Sequence, residues 1–245
     1  MLDEANSEFD RYKHQFLEGF WQLSPEYALC NGRYEFADAL TVYNDKYWGQ
    51  EKTFVQHQQK RLASLTTEYL NQTNKGDAAI IANQLATMDW YRETFREQQW
   101  NPALYNIAGP VGLILNTDYT SLSERLLAIS ARLQRVSDYY TAAQANISNP
   151  ALPQTLLAIE QNKGALNLLQ GRLADVAKNS DLSQVQRDKL LRENNTTANA
   201  VADYISFLES LLPTLQTANA RDFRIGETLY EAKFRFDIGS EFSAR

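Results

Sequence analysis

The sequence predicts an all-α protein, a multi-helix bundle of long antiparallel helices with a broken apolar helix near 102–116. Three observations predict it. Only six prolines and ten glycines punctuate 245 residues, so long stretches run without a breaker. Apolar residues recur at steps of three and four along most of the chain, the spacing of one helical face. Period-two alternation, which marks a half-buried strand, is nearly absent.

The first helix is expected over 3–23, where Phe9, Phe16, Phe20 and Leu23 share one stripe. Ser24-Pro25-Glu26 restarts a short helix, with Ser24 as N-cap, Pro25 at the first helical position and Gly32 beyond the end. Residues 33–44, with Tyr34, Phe36 and Tyr43, form an irregular, partly buried connector. A long helix follows over 45–71, with Trp48, Val55, Leu62, Leu65 and Tyr69 inside. Asn74-Lys75-Gly76 stops it, and Asp77 caps the next helix, which reaches Gln99. Asn101-Pro102 breaks the chain again, and the apolar stretch 102–116 is interrupted at Gly109-Pro110.

The clearest periodicity lies in 121–147. Leu122, Leu126, Ile129, Leu133, Val136, Tyr140, Ala143 and Ile147 step by four and three without a miss, which is a helix-packing seam. Ser148-Asn149-Pro150 ends it, and a return helix spans 153–179 with Leu156, Ile159, Leu166, Leu169, Leu173 and Val176. So short a connection predicts that the two pack as an antiparallel hairpin. The helix over 183–212 keeps the rhythm through Leu190, Asn194, Thr197, Val201, Tyr204, Leu208 and Leu211, so two of its seam positions are polar. Pro213 weakens its end, a last amphipathic segment runs over 225–236, and Gly239 breaks it. Residues 240–245 resemble the opening of another helix. The whole is expected as one helical region, 1–245.

A net charge of −6, with basic residues scattered among carboxylates, argues against a nucleic-acid groove. No apolar run approaches the roughly 18 residues of a membrane-spanning helix. The single Cys30 excludes an internal disulfide framework and a cysteine metal cluster. The acidic Met1-Leu2-Asp3-Glu4-Ala5-Asn6 lacks the apolar region of a signal peptide. Tyr27-Ala28-Leu29-Cys30 superficially resembles a lipoprotein cleavage box, but no apolar segment precedes it and Leu29 is too large for its place.

The common catalytic motifs, among them H-E-x-x-H, C-x-x-C and G-x-S-x-G, do not occur, and His14 and His57 are the only histidines. Asp10, His14 and Glu18 project from one helical face at metal-ligand spacing, yet that face points away from the Phe stripe and is a solvated ion-pair face. His57, among glutamines and Lys60, is a surface histidine. Asn194-Asn195-Thr196-Thr197 suits either a polar cleft or a helix segment projecting into water. Gly164 and Gly171 share a face, where close helix approach or ligand access offsets their cost of about 1 kcal/mol each. Tyr34, Tyr105 and Tyr230 fall beside irregular segments. With Asn194 and Thr197 they are the substrate-cleft candidates, and no catalytic, cofactor or metal residue is assigned in this chain.

Three stretches carry a family resemblance. Leu23-Ser24-Pro25-Glu26-Tyr27-Ala28 followed by Asn31-Gly32 and Asn44-Asp45, then Trp100-Asn101-Pro102-Ala103-Leu104-Tyr105, then Phe223-Arg224-Ile225-Gly226-Glu227-Thr228-Leu229-Tyr230 are similar to elements of the bacterial family of domain of unknown function 885. The second resembles that family's W-x-P-x-x-Y element and the third its F-R-x-G-x-x-x-Y element. Members are longer, largely helical and often exported or lipid-anchored, and their later half carries an H-E-x-x-P-G-H type element like a zinc-peptidase site. The resemblance therefore implies the N-terminal half of such a protein, with any zinc in the absent C-terminal half and no metal ligand carried over to this chain. It implies one wall of a peptide cleft, a periplasmic or cell-envelope location, and as partner either the missing half or a second copy. The other expectation is a non-catalytic helical binding or scaffold module. The sequence that follows Arg245 in the gene separates the two.

Overall fold

In a computed structural model, residues 2–217, 220–239 and 242–244 are described. The helices are α1 (Leu2–Leu23), α2 (Pro25–Cys30), α3 (Asp45–Ser64), α4 (Gln72–Trp90), α5 (Glu97–Trp100) and α6 (Ala108–Asn116). They continue with α7 (Leu122–Leu133), α8 (Val136–Asn146), α9 (Leu152–Asn167), α10 (Ala174–Lys178), α11 (Gln184–Leu215) and α12 (Glu227–Ile238). Short 3-10 turns at Tyr34–Phe36, Thr67–Tyr69 and Pro102–Leu104, and wide π turns at Tyr91–Phe95 and Leu168–Leu173, complete the list. The protein is an all-α multi-helix structure, and among the described residues the β-type pairing is a single bridge between Ala151 and Arg221. Among those residues no helix is long and apolar enough to cross a membrane.

By its contacts the chain falls into two compact units, 1–23 with 45–97 and 224–245, and 24–44 with 98–223. In the first unit the aromatic stripe of α1 forms the core. Phe9, Tyr12, Phe16 and Phe20 pack with Val55 of α3 and Ile81, Leu85 and Met88 of α4. A Cβ on Gly19 would lie 2.7 Å from the Phe54 ring, so glycine is what lets α1 approach α3 there. Helix α12 rests on α4 and the π turn after it. Asn83 Nδ2 donates to Phe236 O at 3.0 Å, satisfying a last-turn carbonyl, and the Tyr91 hydroxyl donates to Asp237 at 2.9 Å. Lys233 pairs with Asp237 and lies over the Tyr91 and Phe95 rings.

The second unit is built around α11, which lies against α9, α7 and α8. Its inner face buries Leu190, Val201, Tyr204 and Leu208 completely. Capping boxes start α7 and α11: Ser121 with Glu124, and Ser183 with Gln186, each satisfy two backbone N–H groups left open by the first turn.

Several boundaries differ from the sequence reading. The helix expected over 45–71 stops at Ser64, and Asn74-Lys75-Gly76 lies inside α4 instead of ending a helix. The start of α4 is moved forward by tertiary bonds. Asn71 caps it by accepting from Asn74 N at 2.8 Å, Asn6 Oδ1 accepts from Asn71 N and Asn74 Nδ2, and Lys13 bonds Asn74 and Asp77. Asp77 is thus an ion-pair partner within the helix and not its cap. The helix expected to reach Gln99 gives way at Tyr91 to a π turn, closed by Arg96 in the left-handed region at φ 48°. In 102–116 the break precedes Gly109-Pro110, since Asn106 Oδ1 accepts from Ala108 N and Pro110 fits in the first turn of α6.

The seam 121–147 is one buried stripe but two helices, broken at 134–135. Leu126, Ile129, Leu133, Val136, Tyr140 and Ala143 are buried as the spacing requires, whereas Leu122 at its start is exposed. Both halves of the expected hairpin take α11 as their main neighbour, and Tyr140 of α8 meets Asn162 of α9 through its hydroxyl. The helix opening expected at 240–245 falls partly outside the described residues, namely on 240, 241 and 245, and 242–244 is not helical.

Candidate functional site

The five cleft candidates do not share one surface. Tyr105, Asn194 and Thr197 are core residues of the second unit, exposed by 1%, 2% and 1%. Tyr34 is half-buried in its 3-10 turn, its ring stacked flat on Tyr119 at 4.1 Å. Tyr230, in the first unit, is exposed on α12.

Burial gives the three core candidates a structural role. The Tyr105 hydroxyl donates to Gln98 O at 2.9 Å and accepts from Asn146 Nδ2 at 3.1 Å. Asn162 Nδ2 donates to Tyr105 O, Tyr140 donates to Asn162 Oδ1 at 2.6 Å, and Tyr204 donates to Pro102 O at 3.1 Å. The connector 98–105, whose backbone polar groups would otherwise be orphaned in the interior, is thereby tied to α8, α9 and α11. Burial pushes the phenols of Tyr105, Tyr140 and Tyr204 above the usual range, so all three are neutral at physiological pH.

The two polar seam positions of α11 face the two breaks in its neighbours. Asn194 Nδ2 donates at 2.8 Å to Leu169 O, inside the π turn of 168–173. Thr197 reaches Leu133 O, at the end of α7, at 3.5 Å. Each serves a carbonyl that a regular helix would satisfy itself.

The remaining sequence features are at the surface. Asp10 and His14 are exposed, Glu18 is half-buried, and Asp10 pairs with Lys13 at 3.2 Å. His57 and Cys30 are exposed. A Cβ on Gly164 or Gly171 would meet nothing within 4 Å, so neither glycine marks a close helix approach. Among the described residues no group of three His, Cys, Asp or Glu side chains could hold a metal ion.

The sequence reading did not single out the buried charges. Arg132, 1% exposed, donates to Ala37 O at 2.9 Å, Phe36 O at 3.2 Å and Glu26 Oε1 at 3.0 Å, while Glu26 also accepts from Thr41 N and Oγ1. This fixes the 33–44 connector on α7. In the first unit Glu51 is 8% exposed, and its Oε2 lies 3.6 Å from Arg92 Nη1, too far for a hydrogen bond. Arg92 instead bonds Asp89 and, at 3.1 Å, Glu93. Burial raises the Glu51 carboxyl to about 7, partly countered by the Arg92 charge. The available signal was positional: Glu51 stands three residues after Trp48 and four before Val55, on the apolar stripe of its helix.

A groove of about 330 Å³ in the first unit is lined by Glu8, Arg11, Tyr12, Gln15, Arg61, Ser64 and Leu65. Arg61 lies over the Tyr12 ring and donates to Gln15 at 2.6 Å. Glu51 is not among its lining residues, so the perturbed carboxyl and the groove do not form one site.

Fold and side chains together define an all-α protein whose buried polar groups hold helix breaks and connectors in place. Residues 25–245 match the model of the family described as "Bacterial protein of unknown function (DUF885)", and the chain belongs to that family. It is similar to a solved structure from Shewanella oneidensis described as "a putative lipoprotein of unknown function", with 33% identity and a TM-score of 0.92. The match covers 96% of this chain and 43% of that one, so this chain spans less than half the length of the protein it resembles. No curated protein matches the sequence.

Proposed function

We propose that this chain is the helical N-terminal part of a longer, zinc-peptidase-like protein of the bacterial cell envelope. In it, the chain forms one wall of a peptide cleft and carries no catalytic group itself. The observation that supports this most is the uneven overlap with the Shewanella protein, nearly complete for this chain and 43% for the other. The lipoprotein description of that relative supports the envelope location. The three sequence elements resembling the family support the zinc-peptidase class.

The residues of this chain do not fit a zinc centre. His14 and His57 stand on different helices, α1 and α3, without the paired ligands such a site needs. Any metal belongs to sequence outside this chain.

Reading the gene beyond Arg245 and assaying the whole product tests the proposal. The expected results are a downstream H-E-x-x-P-G-H type element, stoichiometric zinc in the whole protein, and peptide cleavage lost when that glutamate is replaced. A stop codon directly after Arg245 would overturn the proposal and leave a helical binding or scaffold module.

A further inference from the structure

Helix α12 is two-sided. One side is engaged with α4 and the π turn through Lys233, Phe236 and Asp237. A second stripe consists of Tyr230, Phe234 and Ile238, spaced by four and therefore stacked on one flank of the helix. Tyr230 is 53% exposed, Ile238 is 62% exposed, and no residue of α12 is fully buried. Glu227 and Arg235 are exposed beside the stripe, giving it the charged rim of an interface. Phe234 between them is half-buried, so the stripe is apolar surface that this helix leaves largely uncovered.

Resting on the reading that the chain is part of a longer protein, we infer that the Tyr230–Phe234–Ile238 flank of α12 is a docking surface for the polypeptide that follows this chain in the same molecule. Two observations choose that occupant. The similar solved chain is more than twice as long as the part this chain covers, so that relative carries ample polypeptide to provide a cover. Polypeptide following Arg245 is also tethered seven residues beyond Ile238. A short tether holds it against α12 at an effective concentration in the millimolar range, far above that of a second copy in dilute solution.

The test is hydroxyl-radical footprinting of the whole natural protein, with each residue's labelling referred to the denatured state. Tyr230 and Ile238 should be protected to the degree of the buried Leu85, independently of protein concentration. Ile238→Lys in the whole protein should lower the melting temperature and restore labelling of Tyr230, while Ile238→Leu should do neither. Labelling of Tyr230 and Ile238 as rapid as that of a fully exposed side chain overturns the inference. Protection that appears only as protein concentration rises also overturns it, in favour of a second copy. A gene that continues past Arg245 but leaves the flank labelled refutes this inference alone. A gene that stops there refutes the longer-protein reading with it.

Discussion

Replacing Glu51 with Gln should make the first unit more stable above neutral pH and change little in acid. The carboxyl is raised to about 7 from an ordinary 4.5, chiefly by burial, with the Arg92 charge opposing and the Asp89 charge adding slightly. A folded-state value above the unfolded one means the native protein binds this proton more tightly. The contribution is therefore fully present below 4.5 and is lost as pH rises through about 7. A span of about 2.5 units at about 1.36 kcal/mol each places the cost of the buried carboxylate on the order of 3 kcal/mol. Glutamine keeps the shape and carries no charge, and Arg92 retains Asp89 and Glu93 as partners, so no cation is orphaned. Urea unfolding followed by circular dichroism, repeated across pH for both proteins, measures the difference. It should be near zero at about pH 4, grow through neutrality and level off at about pH 8. A difference that does not vary with pH, or a variant less stable than the parent above neutrality, would refute the reasoning by showing that Arg92 outweighs burial.

Arg132→Met should destabilise the second unit by about 3 kcal/mol, since it takes the guanidinium from the Glu26 carboxylate, which keeps its Thr41 donors, and strips the Ala37 carbonyl of its donor; urea unfolding checks this. Asn162→Leu should cost about 1–3 kcal/mol for each partner stranded, because the Tyr140 hydroxyl and the Tyr105 carbonyl both lose theirs, and the loss should show as a lower urea midpoint. Ser121→Ala removes the α7 capping box at a cost of about 1 kcal/mol, which a thermal melt resolves. The 245-residue chain should retain no stoichiometric zinc after dialysis, measured by elemental mass spectrometry; zinc retained and then lost on His14→Ala or His57→Ala would contradict this.

The helices were legible because burial imposes a period, and that period survives local faults. The stripe Leu126 to Ala143 is buried as spaced although the helix carrying it breaks at 134–135. Breaks were harder to read. They are set by bonds between residues far apart in sequence, such as Asn6 with Asn71 or Arg132 with Ala37, that no local window contains. The polarity of Asn194 and Thr197 was visible, but its meaning lay in the carbonyls of Leu169 and Leu133 on other helices. Tyr105 is the same case: a tyrosine beside an irregular segment is there to bond that segment from inside.

The first unit is interrupted twice by the second, and Asn83 meets Phe236 across 153 positions of sequence. During synthesis α1, α3 and α4 leave the ribosome early, while α12 emerges only after every residue of the second unit. The second unit can close on itself before α12 exists, whereas the first must wait with its α12-binding surface on α4 open. Its completion is a late, non-local ring closure of the kind that slows folding. A released chain ending near residue 223 would therefore present a finished second unit and an unfinished first one, which is the form a chaperone or protease would meet.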